Sequence, residues 1–320
     1  MGNRAERRLA AIALVLFVCL VARHRFLASE DGAAPSVEFV HIAGRKVAIW
    51  KPLGPPPADG YPVILFSHGF TGCGVQSVFL THHLAEAGYF VLAPDHHDAA
   101  CGEAGSNLNP MERLANAVPD KPFRQPEAWS DATYRDRGDD IESVLDAVLK
   151  AKSYASVPID PNRVGLAGHS LGGYTVLALA GAWPSWKDKR VKAVLALSPY
   201  CAPLITKGDL AHLGVPVMYQ GGTLDVTVTP FVSRPGGAYD VSSAPKYYVE
   251  FKAAGHFAWT NVNKLHHAAI DDYATAFFDR YLKAPATPDP ATDSTTPDPL
   301  AHLLAKPWPD SVSDLRFAPQ

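Results

Sequence analysis

The stretch Val164-Gly165-Leu166-Ala167-Gly168-His169-Ser170-Leu171-Gly172-Gly173 constrains the chain more than any other. An apolar run enters a G-x-S-x-G pentad, and a small-residue helical pattern leaves it from Tyr174 to Ala182. Strand, tight turn and helix in that order form the context in which the pentad becomes a nucleophile elbow. The turn strains its backbone, and neighbouring segments crowd the space that side chains at Gly168 and Gly172 would need. The strain lifts Ser170 above the sheet, where its hydroxyl can meet a substrate. The plain alternative is a Gly-rich turn with an idle serine, and the rest of the chain has to decide between them.

Around this stretch, buried strands alternate with helical patterns. Pro62 to Ser67, Tyr89 to Asp95, Val191 to Pro199, Val215 to Gly222 and Lys246 to Phe251 are short, nearly continuous apolar runs. Such runs suit strands covered on both faces of a parallel sheet. Helices are expected over Ser77 to Ala87, closed by Gly88, over Tyr134 to Lys152, and over His266 to Leu282. Ser36 to Trp50 alternates around Ala43-Gly44-Arg45 and predicts a hairpin. The expected fold is α/β, a mostly parallel central sheet with helices on both faces. His96 to Thr133 keeps neither period and is rich in Pro and Gly, so it is expected to form a lid-like insert or a wall of the site.

A serine hydroxyl needs a base within hydrogen-bond reach, and the base needs an orienting carboxylate. On sheets with an elbow the chain order is Ser, then Asp or Glu, then His. Asp225 follows the strand ending at Gly222, and His256 follows the strand ending at Phe251, in Gly255-His256-Phe257. Both stand where ligand-handling groups gather, at the carboxyl ends of strands. Asp209 and Asp240 compete less well, because neither directly follows a buried strand. A negative charge developing on a substrate carbonyl also needs backbone donors. The Leu171 amide is one expected donor and the Phe70 amide, in His68-Gly69-Phe70-Thr71-Gly72, is the other, with Thr71 as its substitute. Trp259 is a candidate wall of the substrate site.

Other features carry less. The net charge is −3 and no basic stripe appears beyond the N-terminus, so nucleic acid is not an expected partner. Asp95-His96-His97-Asp98 near Cys101 lacks a second ligand pair at suitable spacing, so no metal and no cofactor is expected. Trp183 and Trp186 flank Pro184 and are expected to pack. Cys73 and Cys101 each follow a strand and could pair if the chain is exported; the alternative is buried or free thiols.

The set Phe66-Ser67-His68-Gly69-Phe70-Thr71-Gly72, Gly168-His169-Ser170-Leu171-Gly172-Gly173, Asp225 and Gly255-His256-Phe257 resembles the α/β-hydrolases. Within them it resembles the dienelactone hydrolase-like group, bordering platelet-activating factor acetylhydrolases and cutinase-like polyester hydrolases. Tyr61 to Asp98 looks like the acetylhydrolase side. The place after the Val191–Pro199 strand, where plasma-type acetylhydrolases carry their acid, here reads Ser198-Pro199-Tyr200-Cys201. An acid at Asp225 looks instead like the polyester hydrolases and lipases, and Ser170 departs from the cysteine nucleophile of dienelactone hydrolases proper. The resemblance implies an α/β-hydrolase fold and a serine carboxylic-ester hydrolase acting on short- to medium-chain acyl esters or lipid- or polyester-like substrates. A thioesterase, amidase or peptidase on the same fold is the alternative, and a non-catalytic anchored binding protein the third reading.

At the N-terminus, Arg4, Arg7 and Arg8 precede an apolar run from Leu9 to Ala22. Residues 1–28 are expected to be a secretory signal or an N-terminal membrane anchor, with membrane association through residues 9–22 and the protein placed on the exported side. The catalytic unit is expected over residues 36–283. Residues 284–320 are expected to be a Pro/Thr/Asp-rich linker and a short amphipathic tail, docked or loose.

Overall fold

In the computed structural model, residues 36–100, 118–154, 156–283, 299–305 and 307–319 are described. The expected hairpin is β1 (Glu38–Ile42) and β2 (Arg45–Trp50), paired antiparallel with Glu38 opposite Ile49. β3 (Tyr61–Ser67) is buried at every position, as a run apolar on both faces requires. α1 (Val78–Glu86) follows, and Gly88 just past it adopts φ +88°, a left-handed exit open to glycine. Next come β4 (Phe90–Pro94), α2 (Arg135–Ala151), the two-residue β5 (Ser153–Tyr154) and β6 (Val157–His169). The elbow helix α3 (Leu171–Leu177) leads to β7 (Val191–Leu197), α4 (Ala202–Thr206) and β8 (Val217–Gly222). The chain continues through α5 (Thr229–Ser233), α6 (Ala238–Val241), β9 (Lys246–Phe251) and α7 (His267–Phe278). It closes with α8 (Pro299–Leu304) and β10 (Val312–Ala318).

The sheet runs β1-β2-β4-β3-β6-β7-β8-β9-β10, with β5 paired to β6 off this path. From β4 to β9 every neighbouring pair is parallel. Antiparallel pairs flank this centre, β2 on β4 at one side and β10 on β9 at the other. Side chains alternate faces along each strand. Val63 and Leu65 of β3 join Ile141, Val144 and Leu145 of α2 in one core. Ile64 and Phe66 join Leu80 and Leu84 of α1, and Ile270, Tyr273 and Phe277 of α7, in the other. This is an α/β-hydrolase architecture with two apolar layers, one on each face of the sheet.

The tail is docked: β10 extends the sheet beyond β9, setting Leu315 opposite Val249, and Leu300 and Val312 are buried in the second core. The insert is a wall where it is described, with Trp129 fully buried against Phe123, Tyr134, Tyr174 and Tyr200. Residues 101–117 of this insert lie outside the described residues, as do the N-terminal apolar run and the 284–298 linker. Among the described residues no helix is long and apolar enough to cross a membrane. Cys73 is disulfide-bonded, and Cys101, its expected partner, lies outside the described residues.

Candidate active site

Five loops at the carboxyl edge of the sheet build the site, after β3, β6, β7, β8 and β9. The elbow after β6 is close-packed. A Cβ on Gly172 would stand 1.9 Å from the Ser67 carbonyl oxygen, and one on Gly168 would stand 2.3 Å from the Gly172 carbonyl oxygen. Ser170 itself sits at φ 55°, ψ −114°, a conformation that costs a non-glycine residue about 1–3 kcal/mol and persists only where the surroundings enforce it. Those surroundings are the Ser170 amide donating to Leu197 O at 3.0 Å and the Tyr200 amide donating to Ser170 O at 2.9 Å.

Ser170, His256 and Asp225 come together. His256 Nε2 lies 2.9 Å from Ser170 Oγ, and His256 Nδ1 lies 3.0 Å from Asp225 Oδ2. Asp225 is buried while the His256 side chain keeps 25% of its surface exposed, so the imidazole bridges a dry carboxylate and an open hydroxyl. Burial pushes the Asp225 carboxyl up, but the hydrogen bond and charge of His256 and the Ser198 hydroxyl outweigh it and hold the group below the ordinary carboxylate range. The His256 backbone carbonyl accepts from His169 Nε2 at 2.8 Å, so His169 Nδ1 is left as acceptor for the Gln76 amide at 3.0 Å. Burial, aided by the charge of His256, depresses His169 to about 3, and it stays neutral in this role.

The loop after β3 lies against the elbow: a Cβ on Gly69 would be 3.5 Å from Ser170 Cβ. Its amides are not equivalent. The Gly69 amide donates to Gln76 Oε1 at 2.9 Å and the Thr71 amide donates to Asp98 Oδ2 at 3.1 Å. Thr71 is therefore engaged inward, its N–H taken by a buried carboxylate. The Phe70 and Leu171 amides meet no acceptor among the described residues.

Trp259 does not line the opening. It is wholly buried, donates from Nε1 to Gln220 Oε1 at 3.0 Å and stacks near His169 at 6.3 Å, so it supports the site from beneath. The half-buried Phe70 is set edge-on to Phe123 at 5.4 Å, with Tyr200 edge-on to Phe123 behind it. Trp183 and Trp186 pack as expected, donating to Tyr174 Oη and the Asp131 carbonyl. Among the described residues no cluster of metal-ligating side chains occurs. His96 and Asp98 belong to a buried polar network with Ser67, His68, Arg137 and Asp140 that the sequence did not disclose. One signal was present: Arg137 falls on the same helical face as Ile141, Val144 and Val148, an arginine on an apolar stripe.

The profile of the PET hydrolase-like family matches residues 112–287, more than half of the chain and the part that carries Ser170, Asp225 and His256. The chain belongs to the PET hydrolase-like family. The profile of platelet-activating factor acetylhydrolase, isoform II, matches residues 43–112 of this PET hydrolase-like chain, which include the Phe70 loop. The relatives include Cutinase est1 of Thermobifida alba, 27% identical over 231 residues that make up 71% of this chain and 63% of that protein. Cutinase 2 of Thermobifida cellulosilytica is 25% identical over 231 residues, 71% of each chain. Platelet-activating factor acetylhydrolase of Cavia porcellus is 26% identical over 177 residues, 49% of this chain and 38% of that protein. The aligned part thus spans less than two thirds of the Thermobifida alba relative.

Proposed function

We propose that this protein is a serine carboxylic-ester hydrolase that works through an acyl-enzyme. The observation that carries the reading is the unbroken chain from Ser170 Oγ through both ring nitrogens of His256 to Asp225 Oδ2, at 2.9 and 3.0 Å. In the resting site His256 Nδ1 carries the proton facing Asp225, and Nε2 is free to accept from Ser170. Ser170 Oγ attacks the ester carbonyl carbon as its proton passes to Nε2. The carbonyl oxygen becomes an oxyanion received by the Phe70 and Leu171 amides. Collapse breaks the bond to the alkoxy group, which leaves as the alcohol with the proton from His256. Water then attacks acyl-Ser170, gives a proton to His256, and a second collapse returns the serine hydroxyl and releases the acid.

Cutinases among the relatives and the aromatic wall of Phe70, Phe123 and Tyr200 support an apolar acyl or polyester-like substrate of short to medium chain. Export is supported by the basic residues before the Leu9–Ala22 run and by the bonded Cys73, since disulfides persist in oxidising compartments. The test is labelling with a fluorophosphonate probe, followed by turnover of p-nitrophenyl esters of increasing chain length by wild type and Ser170→Ala. The wild type is expected to label and turn over, and Ser170→Ala to do neither. Faster turnover of matched thioesters or anilides than of esters would redirect the reading to a thioesterase or amidase.

A further inference from the structure

The Phe70 amide belongs to a peptide unit whose carbonyl is Gly69 O. A trans peptide is planar and its C=O and N–H point opposite ways, so whatever holds Gly69 O aims the Phe70 N–H. Gly69 O accepts from His68 Nδ1 at 2.7 Å and from the Gly72 amide of its own turn at 2.9 Å, with Arg137 Nη2 approaching at 3.4 Å. His68 can donate from Nδ1 because its Nε2 is occupied as acceptor by the His96 amide at 3.0 Å. Burial, with the charge of Arg137, lowers His68 to about 4 and keeps it in that neutral form. Arg137 Nη2 donates to the carbonyl of His68 itself at 2.8 Å. On the far side of Phe70, the next peptide unit is held by the Thr71 amide donating to Asp98 Oδ2. Asp98 in turn faces Arg137, Oδ1 to Nε at 3.2 Å, with both side chains fully buried.

A buried ion pair is a poor stabiliser, since desolvation offsets its attraction and apolar replacements are often neutral or better. Its place here is against the two peptide planes that flank one amide. We propose that Asp98 and Arg137 are positioning residues that clamp the 68–71 loop and thereby aim the Phe70 N–H at the oxyanion formed on Ser170. The inference rests on the ester-hydrolase reading above. The two residues act at a distance from the reacting atoms: Arg137 orients His68 and its carbonyl, Asp98 orients Thr71, and Phe70 lies between.

The test compares wild type, Asp98→Ala, Asp98→Asn and Arg137→Lys with matched oxo- and thiono-esters. A thiocarbonyl sulfur accepts hydrogen bonds weakly, so the oxo/thiono rate ratio reports how well the oxyanion is gripped. With one donor misaimed, Asp98→Ala is expected to lose on the order of 10²-fold in kcat. Its KM should hold within about twofold, since uniform binding is not touched, and its oxo/thiono ratio should shrink with kcat. Asp98→Asn keeps an acceptor for Thr71 and should recover most of the lost kcat. Arg137→Lys, a point charge without the fork, should behave like Asp98→Ala. If a single substitution does not fold, D98L/R137M removes both charges at once, leaves none buried alone, and should show the same collapsed ratio. A folded Asp98→Ala with wild-type kcat, or with reduced kcat and an unchanged ratio, overturns the clamp while leaving the ester-hydrolase reading intact. A wild type that turns over no ester removes both.

Discussion

The Ser198 hydroxyl donates to Asp225 Oδ2, the same oxygen that faces His256 Nδ1 at 3.0 Å. Ser198 Oγ is also 3.0 Å from that Nδ1, so the imidazole N–H is shared between a hydroxyl and a carboxylate. Ser198 reaches this position with φ +42°, just past β7. Removing the hydroxyl leaves a buried carboxylate short of one donor and frees the carboxylate to swing. Ser198→Ala should lower kcat by about tenfold, the equivalent of one charge-assisted hydrogen bond, with KM unchanged. Steady-state kinetics on a p-nitrophenyl ester measure this, and an unaltered kcat would show that Asp225 is held without Ser198.

The elbow tolerates no side chain at Gly172, whose added Cβ would sit 1.9 Å from Ser67 O and 2.7 Å from His68 O. Both neighbours are backbone of the strand and loop that carry Phe70, so they cannot move aside alone. Gly172→Ala is expected to abolish ester turnover and fluorophosphonate labelling and to lower Tm. Gly44→Ala, at a turn where a Cβ meets nothing within 4 Å, should keep full activity and bears only the strain of φ +78°. Equal loss in both variants would contradict a steric cause.

Asp271 on α7 is buried, with Oδ1 lacking a hydrogen-bond partner among the described residues. Burial, reinforced by Asp272 and Glu86, raises its carboxyl from 3.8 to about 8. A raised acid favours folding while protonated, and that contribution is lost as pH rises from the ordinary value through about 8. Asp271→Asn is neutral throughout. Its Tm should exceed that of wild type at about pH 9 and converge toward it at about pH 4, on either side of the titration. Parallel Tm curves across that range would place the titration elsewhere.

β10 gives the sheet an antiparallel border beside β9, the strand that delivers His256. Leu315 is 6% exposed there, opposite Val249. Leu315→Ala should destabilise the protein by about 2–5 kcal/mol, the range for a buried leucine replaced by alanine. Denaturant unfolding checks this, and a change under about 0.5 kcal/mol, the surface range, would mean that the tail is not docked.

Trp259→Phe keeps most of the buried ring and deletes the Nε1 donor to Gln220. It should cost about 1–3 kcal/mol of stability through the unpaired Gln220 oxygen and leave the ester chain-length profile as it is. A changed chain-length profile would return Trp259 to the substrate wall.

Much of this was legible in the chain. Continuous apolar runs mark a parallel sheet covered on both faces because hydrophobicity and strand length are local properties. Ser170, Asp225 and His256 stand out in the sequence by their places just past buried runs, and the strained turn is visible in its flanking glycines. The docked tail was not, because β10 (Val312–Ala318) earns its place only by pairing with Lys246–Phe251, far away in sequence. The direction of the Trp259 ring is not legible for a related reason: three positions after a histidine says nothing about which way a ring points until Gln220 and His169 are packed beside it.

The sequence alone determined the sheet, the elbow and the order of the three polar residues, since periodicity, glycine and strand ends act over a few neighbours. Only the tertiary structure decided which amides stay available. Thr71 is turned to Asp98, and Phe70 lies between two peptide planes held by His68, Arg137 and Asp98. Those partners come from the loop after β3, from the loop after β4 and from α2, and a hydrogen bond between them exists only once the sheet has brought three remote segments within about 3 Å.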